Sequence, residues 1–268
     1  MSAMAERAAR LLGGKIAEWS RFAGGSLSSL DLVRLTDGRE MLVKSGPSPK
    51  VEARMLRAIR AAGVPAPEVF AADDTVLAIE RLPDDGGLSG AWGDLGMVLR
   101  RLHEETGDRY GFEDDYAFGR LAIRNTSDDD WPRFFAQNRL IAAATGTGSD
   151  IERRVEALCG RLCDILPRRP KASLLHGDLW SGNVLTFAGK VSGLIDPACY
   201  FGDGEVDIAM LGLFASPSCA FFDAYGPLPP GHRERAPVYA LWPALVHLNL
   251  FGSSYRGMVD GYLRQTGH

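Results

Sequence analysis

Asp178 and Asn183 stand five residues apart in LLHGDLWSGNVL, residues 174–185. At that spacing a carboxylate and a neutral amide can share one short loop. The carboxylate can orient a hydroxyl and take its proton. The amide oxygen can hold a hard cation without quenching that base. Thirteen residues later, Asp196 ends the apolar run Val191–Ile195 and offers a second oxygen ligand.

The offset from Asp178 to Asn183, with His176 two residues before the acid, matches the H-R-D-L-x-x-x-N catalytic loop of phosphoryl-transfer enzymes. An isolated H-x-D would read as a turn capped by its acid. Other residues complete the set. Lys44 ends the run Glu40–Val43, and Glu52 follows on a predicted helix. A strand lysine paired with a helix glutamate grips the α- and β-phosphates of a nucleotide. Gly24, Gly25 and Ser26 lie upstream, where backbone N–H groups can approach a phosphate. Asp207 opens an apolar helical stretch, and we expect it to brace the catalytic loop through backbone N–H groups. The chain has no G-x-x-x-x-G-K-[ST], G-x-S-x-G or G-x-G-x-x-G.

These residues need elements to hold them. The runs Leu30–Thr36 and Glu40–Val43, joined through Asp37-Gly38, predict a hairpin. Residues 50–62 predict a helix stopped by Gly63. Val69–Ala72 and Val76–Glu80 predict two more strands. From LPDDGG onward the pattern turns helical: Leu95, Val98, Leu99 and Leu102 share one face, and Ile151 to Ile165 form another such series opened by Ser149 or Asp150. A short β-like island spans Ser173–Asp196. The expected fold class is therefore α+β and bilobal, with a small antiparallel sheet in residues 1–84 and a mainly helical part in 85–268. The cleft between them is the expected site.

Composition sets outer limits. The 268 residues are 46% hydrophobic and 24% charged, which argues for a folded chain with its own core. The net charge is −4, so nothing favours nucleic acid, and any phosphate must be bound locally. No run suits a membrane span. The N-terminus lacks the apolar centre of a secretory signal and reads as a surface helix with Ala8, Leu11, Leu12 and Ile16 on one side. Cys159, Cys163, Cys199 and Cys219 read as reduced, mostly buried thiols, which suits a cytoplasmic protein.

The chain also resembles the fructosamine kinase (ketosamine-3-kinase) family. Those are small kinases of the protein-kinase-like fold, related to aminoglycoside phosphotransferases and choline kinases. The resemblance covers nearly the whole chain. It rests on HGDLWSGN (176–183), on IDPACYFGD (195–203) continuing into GEVDIAM (204–210), on WPRFF (131–135), and on LNLFG (248–252) before Tyr255. It implies ATP- and Mg²⁺-dependent phosphorylation of a sugar hydroxyl on a ketosamine. By position, Asp178 would be the base, Asn183 and Asp196 would hold Mg²⁺, and Lys44 and Glu52 would hold the phosphates. Glu80, Arg81 and Leu82 would form the adenine hinge. His176, Trp180 and Trp131 are candidate substrate contacts, with Phe134 and Phe135 beside them in a pocket of the helical part. A monomer or weak homodimer is expected.

Two departures stand out. The glycine-rich loop carries no cysteine, and residues 119–125 read GRLAIRN where relatives often carry glutamine. Two other readings remain at this point. One is another small-molecule kinase of the fold, acting on aminoglycosides, choline-like alcohols or sugars. Asp114, Asp115 and Asp128–Asp130 could then supply an acidic pocket. The other is a pseudokinase module that only binds nucleotide.

Overall fold

Alternation of buried side chains builds the N-terminal sheet. In β2 (Leu30–Leu35) Asp31, Val33 and Leu35 point inward, and in β3 (Glu40–Lys44) Met41 and Val43 do the same. The turn between them places Gly38 at φ +89, a conformation glycine adopts without strain. β1 (Ile16–Phe22), β4 (Val69–Ala72) and β5 (Leu77–Ile79) complete an antiparallel sheet of order β1-β2-β3-β5-β4. The computed structural model describes residues 2–22 and 30–268. Gly24, Gly25 and Ser26 therefore lie outside the described residues.

Two helices pack on the sheet. In α1 (Ala3–Leu11) the small Ala5 and Ala8 sit against Val33, Met41 and Val43. The expected stripe on this helix is corrected: Leu11 is exposed, and the chain turns at Gly13 (φ +64), which puts Ile16 on β1. α2 (Pro49–Ala61) starts with proline in its first turn, where the missing N–H costs nothing, and buries Met55, Leu56 and Ile59.

Residues 80–87 carry no strand or helix and lead to α3 (Leu88–Glu104). They are docked on a second hairpin, β9 (Val184–Phe187) with β10 (Lys190–Leu194): the Asp85 N–H donates to the Thr186 carbonyl at 2.7 Å, and the Ser192 hydroxyl to the Pro83 carbonyl at 2.6 Å. The α2 side chains share one core with Leu95 and Leu99 of α3, and with Leu174, Leu179, Leu194 and Cys199. The sheet and the helices are thereby joined through apolar contact.

The C-terminal part holds a hairpin of β6 (Tyr116–Phe118) and β7 (Leu121–Ile123), and the pair β8 (Ser173–Leu175) with β11 (Tyr200–Gly202). Its helices are α4 (Trp131–Phe135), α5 (Ala142–Ala144), α6 (Ser149–Cys159), α7 (Leu162–Ile165), α8 (Glu205–Phe214), α9 (Cys219–Tyr225), α10 (His232–Phe251) and α11 (Arg256–Gln265). The expected single helix from 151 to 165 is two, broken at Gly160-Arg161. Its cap is Gly148, with no side-chain bond from Ser149 or Asp150. All four cysteines are free, and only Cys199 is buried, so the expectation of mostly buried thiols is corrected. No helix among the described residues is long and apolar enough to cross a membrane.

Candidate active site

The loop after β8 is locked into one shape by what lies beneath it. Gly177 sits at φ +80, and a Cβ there would meet the Ala198 carbonyl oxygen at 2.1 Å. Only glycine fits. Asp207, fully buried at the start of α8, accepts the His176 N–H at 2.7 Å and the Gly177 N–H at 2.9 Å. His103 Nε2 lies 3.2 Å from the same carboxylate, and its Nδ1 is 2.8 Å from the Tyr225 hydroxyl. From above, the Ala198 N–H donates to the His176 carbonyl at 2.9 Å. The 176–178 and 195–198 segments thus hold one another.

His176 is buried within this lock. Its Nε2 is 3.0 Å from the Ile195 carbonyl, and its Nδ1 accepts from the Asp178 N–H at 3.3 Å. Burial lowers its pKa, so the ring is neutral and Nε2 carries the proton. With no exposed surface it cannot touch a substrate, which corrects that expectation.

Asp178 presents its carboxylate beside Asn183. The Asn183 amide donates to the Asp178 carbonyl at 2.8 Å and to its carboxylate at 3.0 Å. Both amide hydrogens are thereby engaged, and the amide oxygen is the atom left for a cation. Burial pushes the Asp178 carboxyl up to about 7; Asn183 opposes that, and the charges of Asp196 and Asp207 add to it. A carboxylate in that range is matched to proton transfer near neutral pH.

Asp196 adopts φ +53, unusual for a residue with a side chain and costing on the order of 1 kcal/mol. That conformation brings its carboxylate to the cleft, where Lys44 Nζ lies 2.5 Å away. Lys44 also reaches Glu52 at 2.8 Å. Burial alone would lower the Lys44 pKa, but the two carboxylates outweigh it and the ammonium stays charged. Tyr116 donates its hydroxyl to Glu52 at 3.4 Å from the other side.

Two cavities meet at this ion pair. One, of about 290 Å³, is lined by Phe22, Leu42, Ile79, Leu185 and the stretch Glu80–Leu82. There the Glu80 side chain is turned onto the Glu68 N–H and Arg81 onto Glu40, so backbone is what residues 80–82 offer a planar ligand. The other, of about 320 Å³, is lined by Pro47, Tyr116–Gly119, Asp178, Trp180 and Asn183. Lys44, Gly182, Ile195 and Asp196 border both. A cleft of about 500 Å³ lined by His103, Lys171, Tyr225 and Arg235 reaches none of Lys44, Asp178, Asn183 or Asp196.

The expected acceptor pocket is corrected in part. Trp131, Phe134 and Phe135 are fully buried. Trp131 stacks on Phe134 and donates its indole N–H to Tyr239 at 3.0 Å, so it has no surface for a substrate. Trp180 does line the cavity. The hairpin β6–β7, which also carries much of GRLAIRN, lines the same cavity through Tyr116–Gly119; neither Tyr116 nor Phe118 was singled out in the sequence. The acidic candidates are consumed elsewhere: Asp114 pairs with Arg54 and Asp128 with Arg133, while Asp129 binds Arg109 and Asp130 binds Arg168. Asp115 accepts the Asn125 N–H at 2.7 Å.

Asn183 and Asp196 could offer a cation two protein oxygen donors. Among the described residues no group of three or more His, Cys, Asp or Glu is placed to hold an ion. Two donors suit Mg²⁺, which keeps waters and substrate phosphates in the rest of its shell.

The sheet, the helical part and the cleft between them have the architecture of the protein-kinase-like fold. An aminoglycoside phosphotransferase in ternary complex with AMP-PNP and hygromycin B superposes with a TM-score of 0.63 at 17% identity, covering 99% of this chain and 95% of that one, a likeness of fold alone. The chain belongs to the fructosamine kinase family, whose model matches residues 9–266. A crystal structure provisionally described as a fructosamine-3-kinase, from Thermobifida fusca, is 31% identical, with a TM-score of 0.89 and 98% of each chain covered. An Enterococcus faecium protein provisionally named a ketoamine kinase is 38% identical over 180 residues, 63% of this chain and 65% of its own length. The match thus spans about two thirds of that relative.

Proposed function

We propose that this chain transfers the γ-phosphoryl group of ATP to a sugar hydroxyl of a ketosamine. The observation that carries the reading is the meeting of the two cavities at Lys44 and Asp196, with Asp178 and Asn183 facing the second. The cavity beside residues 80–82 suits the adenine, and Lys44, held by Glu52, suits the phosphates. Residues 1–84 then form the nucleotide-binding part and 85–268 the catalytic and substrate-binding part.

In this mechanism Asp178 orients the acceptor hydroxyl and takes its proton as the oxygen bonds to the γ-phosphorus and the bond to the β–γ bridging oxygen breaks. Lys44 offsets charge on the phosphates. Asn183 and Asp196 would hold Mg²⁺, which supplies further charge neutralisation when bound. Asp207 keeps the loop backbone still, so little reorganisation accompanies transfer.

The ketosamine acceptor follows from family membership and from the names its relatives carry. The ion-paired state of the acidic residues argues against a polycationic aminoglycoside. A panel of glycated lysine, a ribulosamine, free sugars, an aminoglycoside and choline tests the reading with an ADP-release assay. We expect kcat/KM for a ketosamine to exceed the others by about tenfold or more. Transfer to an aminoglycoside or choline alone overturns the substrate; no transfer to any acceptor favours the pseudokinase.

A further inference from the structure

Trp180 begins a row of rings that leads away from the acceptor cavity. Its indole meets Phe214 edge-on at 6.3 Å between centroids, and Phe214 meets His247 at 5.1 Å. His247 lies 5.5 Å from Phe251 and 5.0 Å from Tyr255, and those two are 6.0 Å apart. The rings come from separate elements: the loop after β8, the end of α8, and the end of α10 with the turn that follows. Gly252, at φ +86, ends α10 before that turn, in which Tyr255 packs back on His247.

Trp180, Phe214 and Phe251 are 38%, 43% and 45% exposed. Of the eight large apolar side chains exposed among the described residues, these three are joined in one row. Single exposed rings are ordinary, but a joined set marks a binding surface. The His247 Nδ1–H donates to the Pro243 carbonyl at 2.8 Å, and burial lowers the ring's pKa. It therefore joins the row as a neutral aromatic.

We propose that this row binds the amine-side substituent of the acceptor and selects ketosamines whose substituent is apolar or aromatic. The inference rests on the ketosamine-kinase reading. With the reacting hydroxyl at Asp178, the Lys44–Asp196 pair bounds the cavity toward the nucleotide, and Pro47 with Tyr116–Gly119 bounds another side. Trp180, half-exposed at the rim, is where the rest of the molecule leaves. The rings are continuous with it from that point.

The test compares fructosamines of methylamine and of phenethylamine as substrates of the full chain, in wild type and in Phe214→Ala, Phe251→Ala and Phe214→Leu. The readout is the ratio of kcat/KM for the two substrates within each protein, which is independent of the folded fraction. The wild type should favour the phenethylamine adduct by about tenfold, and each alanine variant should lower that ratio about threefold to tenfold. Phe214→Leu should keep part of it. A wild-type ratio near one, or ratios unchanged in both alanine variants, overturns the subsite while leaving the kinase reading in place. Failure of the wild type to phosphorylate either adduct overturns both.

Discussion

Lys44 and Asp196 are 152 residues apart in the chain and 2.5 Å apart in space. One ends a strand of the sheet; the other follows the hairpin β9–β10. Both residues line both cavities of the cleft, so in the proposed mechanism their contact marks where the transferred phosphate would lie. A chain of net charge −4 offers no global field to attract ATP, so the proposed mechanism assigns that task to this local cation and the backbone around it.

Lys44→Met should raise the KM for ATP and lower kcat/KM by about a hundredfold or more. It also leaves Glu52 buried without its cation. Burial already raises the Glu52 pKa, against the opposing pull of Lys44. A carboxyl whose folded pKa is raised contributes stability below its unfolded pKa of about 4.3 and loses it as pH rises through the folded value. The melting temperature of the variant should therefore fall further below wild type as pH is taken from about 5 to 8. A gap that narrows over that range would show that Glu52 is not held ionised by Lys44.

Gly177→Ala forces a Cβ against the Ala198 carbonyl in a left-handed backbone. We expect a loss on the order of 2 kcal/mol or more, read by urea unfolding. Wild-type stability would show that the loop has room to shift.

Asp207→Asn replaces one of two accepting oxygens with a donor that faces an N–H. The buried mismatch should cost about 1–3 kcal/mol. It should lower kcat more than it raises the KM for ATP, since Asp207 touches the loop and not the nucleotide cavity. A change confined to the KM for ATP would refute that role.

Trp131→Phe removes the bond to Tyr239 inside the helical core. It should cost about 1–3 kcal/mol of stability and leave the acceptor KM within about twofold. A large rise in acceptor KM with unchanged stability would restore Trp131 to the substrate site.

The residues of the cleft were legible where their spacing is local. Asp178 and Asn183 share one loop, and Asp196 ends an apolar run, so order along the chain placed them. The hairpin 116–123 was not legible, because no further apolar residue flanks Tyr116–Phe118 or Leu121–Ile123, as Val76 flanks Leu77–Ile79. Trp131, Phe134 and Phe135 were misread because aromatics beside a motif resemble a pocket, whereas their helical spacing is that of a core face. His103 carries no local signal of its place; only the fold shows it buried against Asp207 and Tyr225. The row from Trp180 to Tyr255 draws on residues too far apart in sequence for any pattern to connect.

If Asp178 is the base of a phosphoryl transfer, Asp178→Ala removes the group that takes the acceptor's proton. Turnover of ATP with a ketosamine is measured alongside nucleotide binding by calorimetry. Turnover should fall by about a thousandfold or more while the nucleotide Kd stays within a few-fold of wild type. Near-normal turnover in that variant would contradict that role.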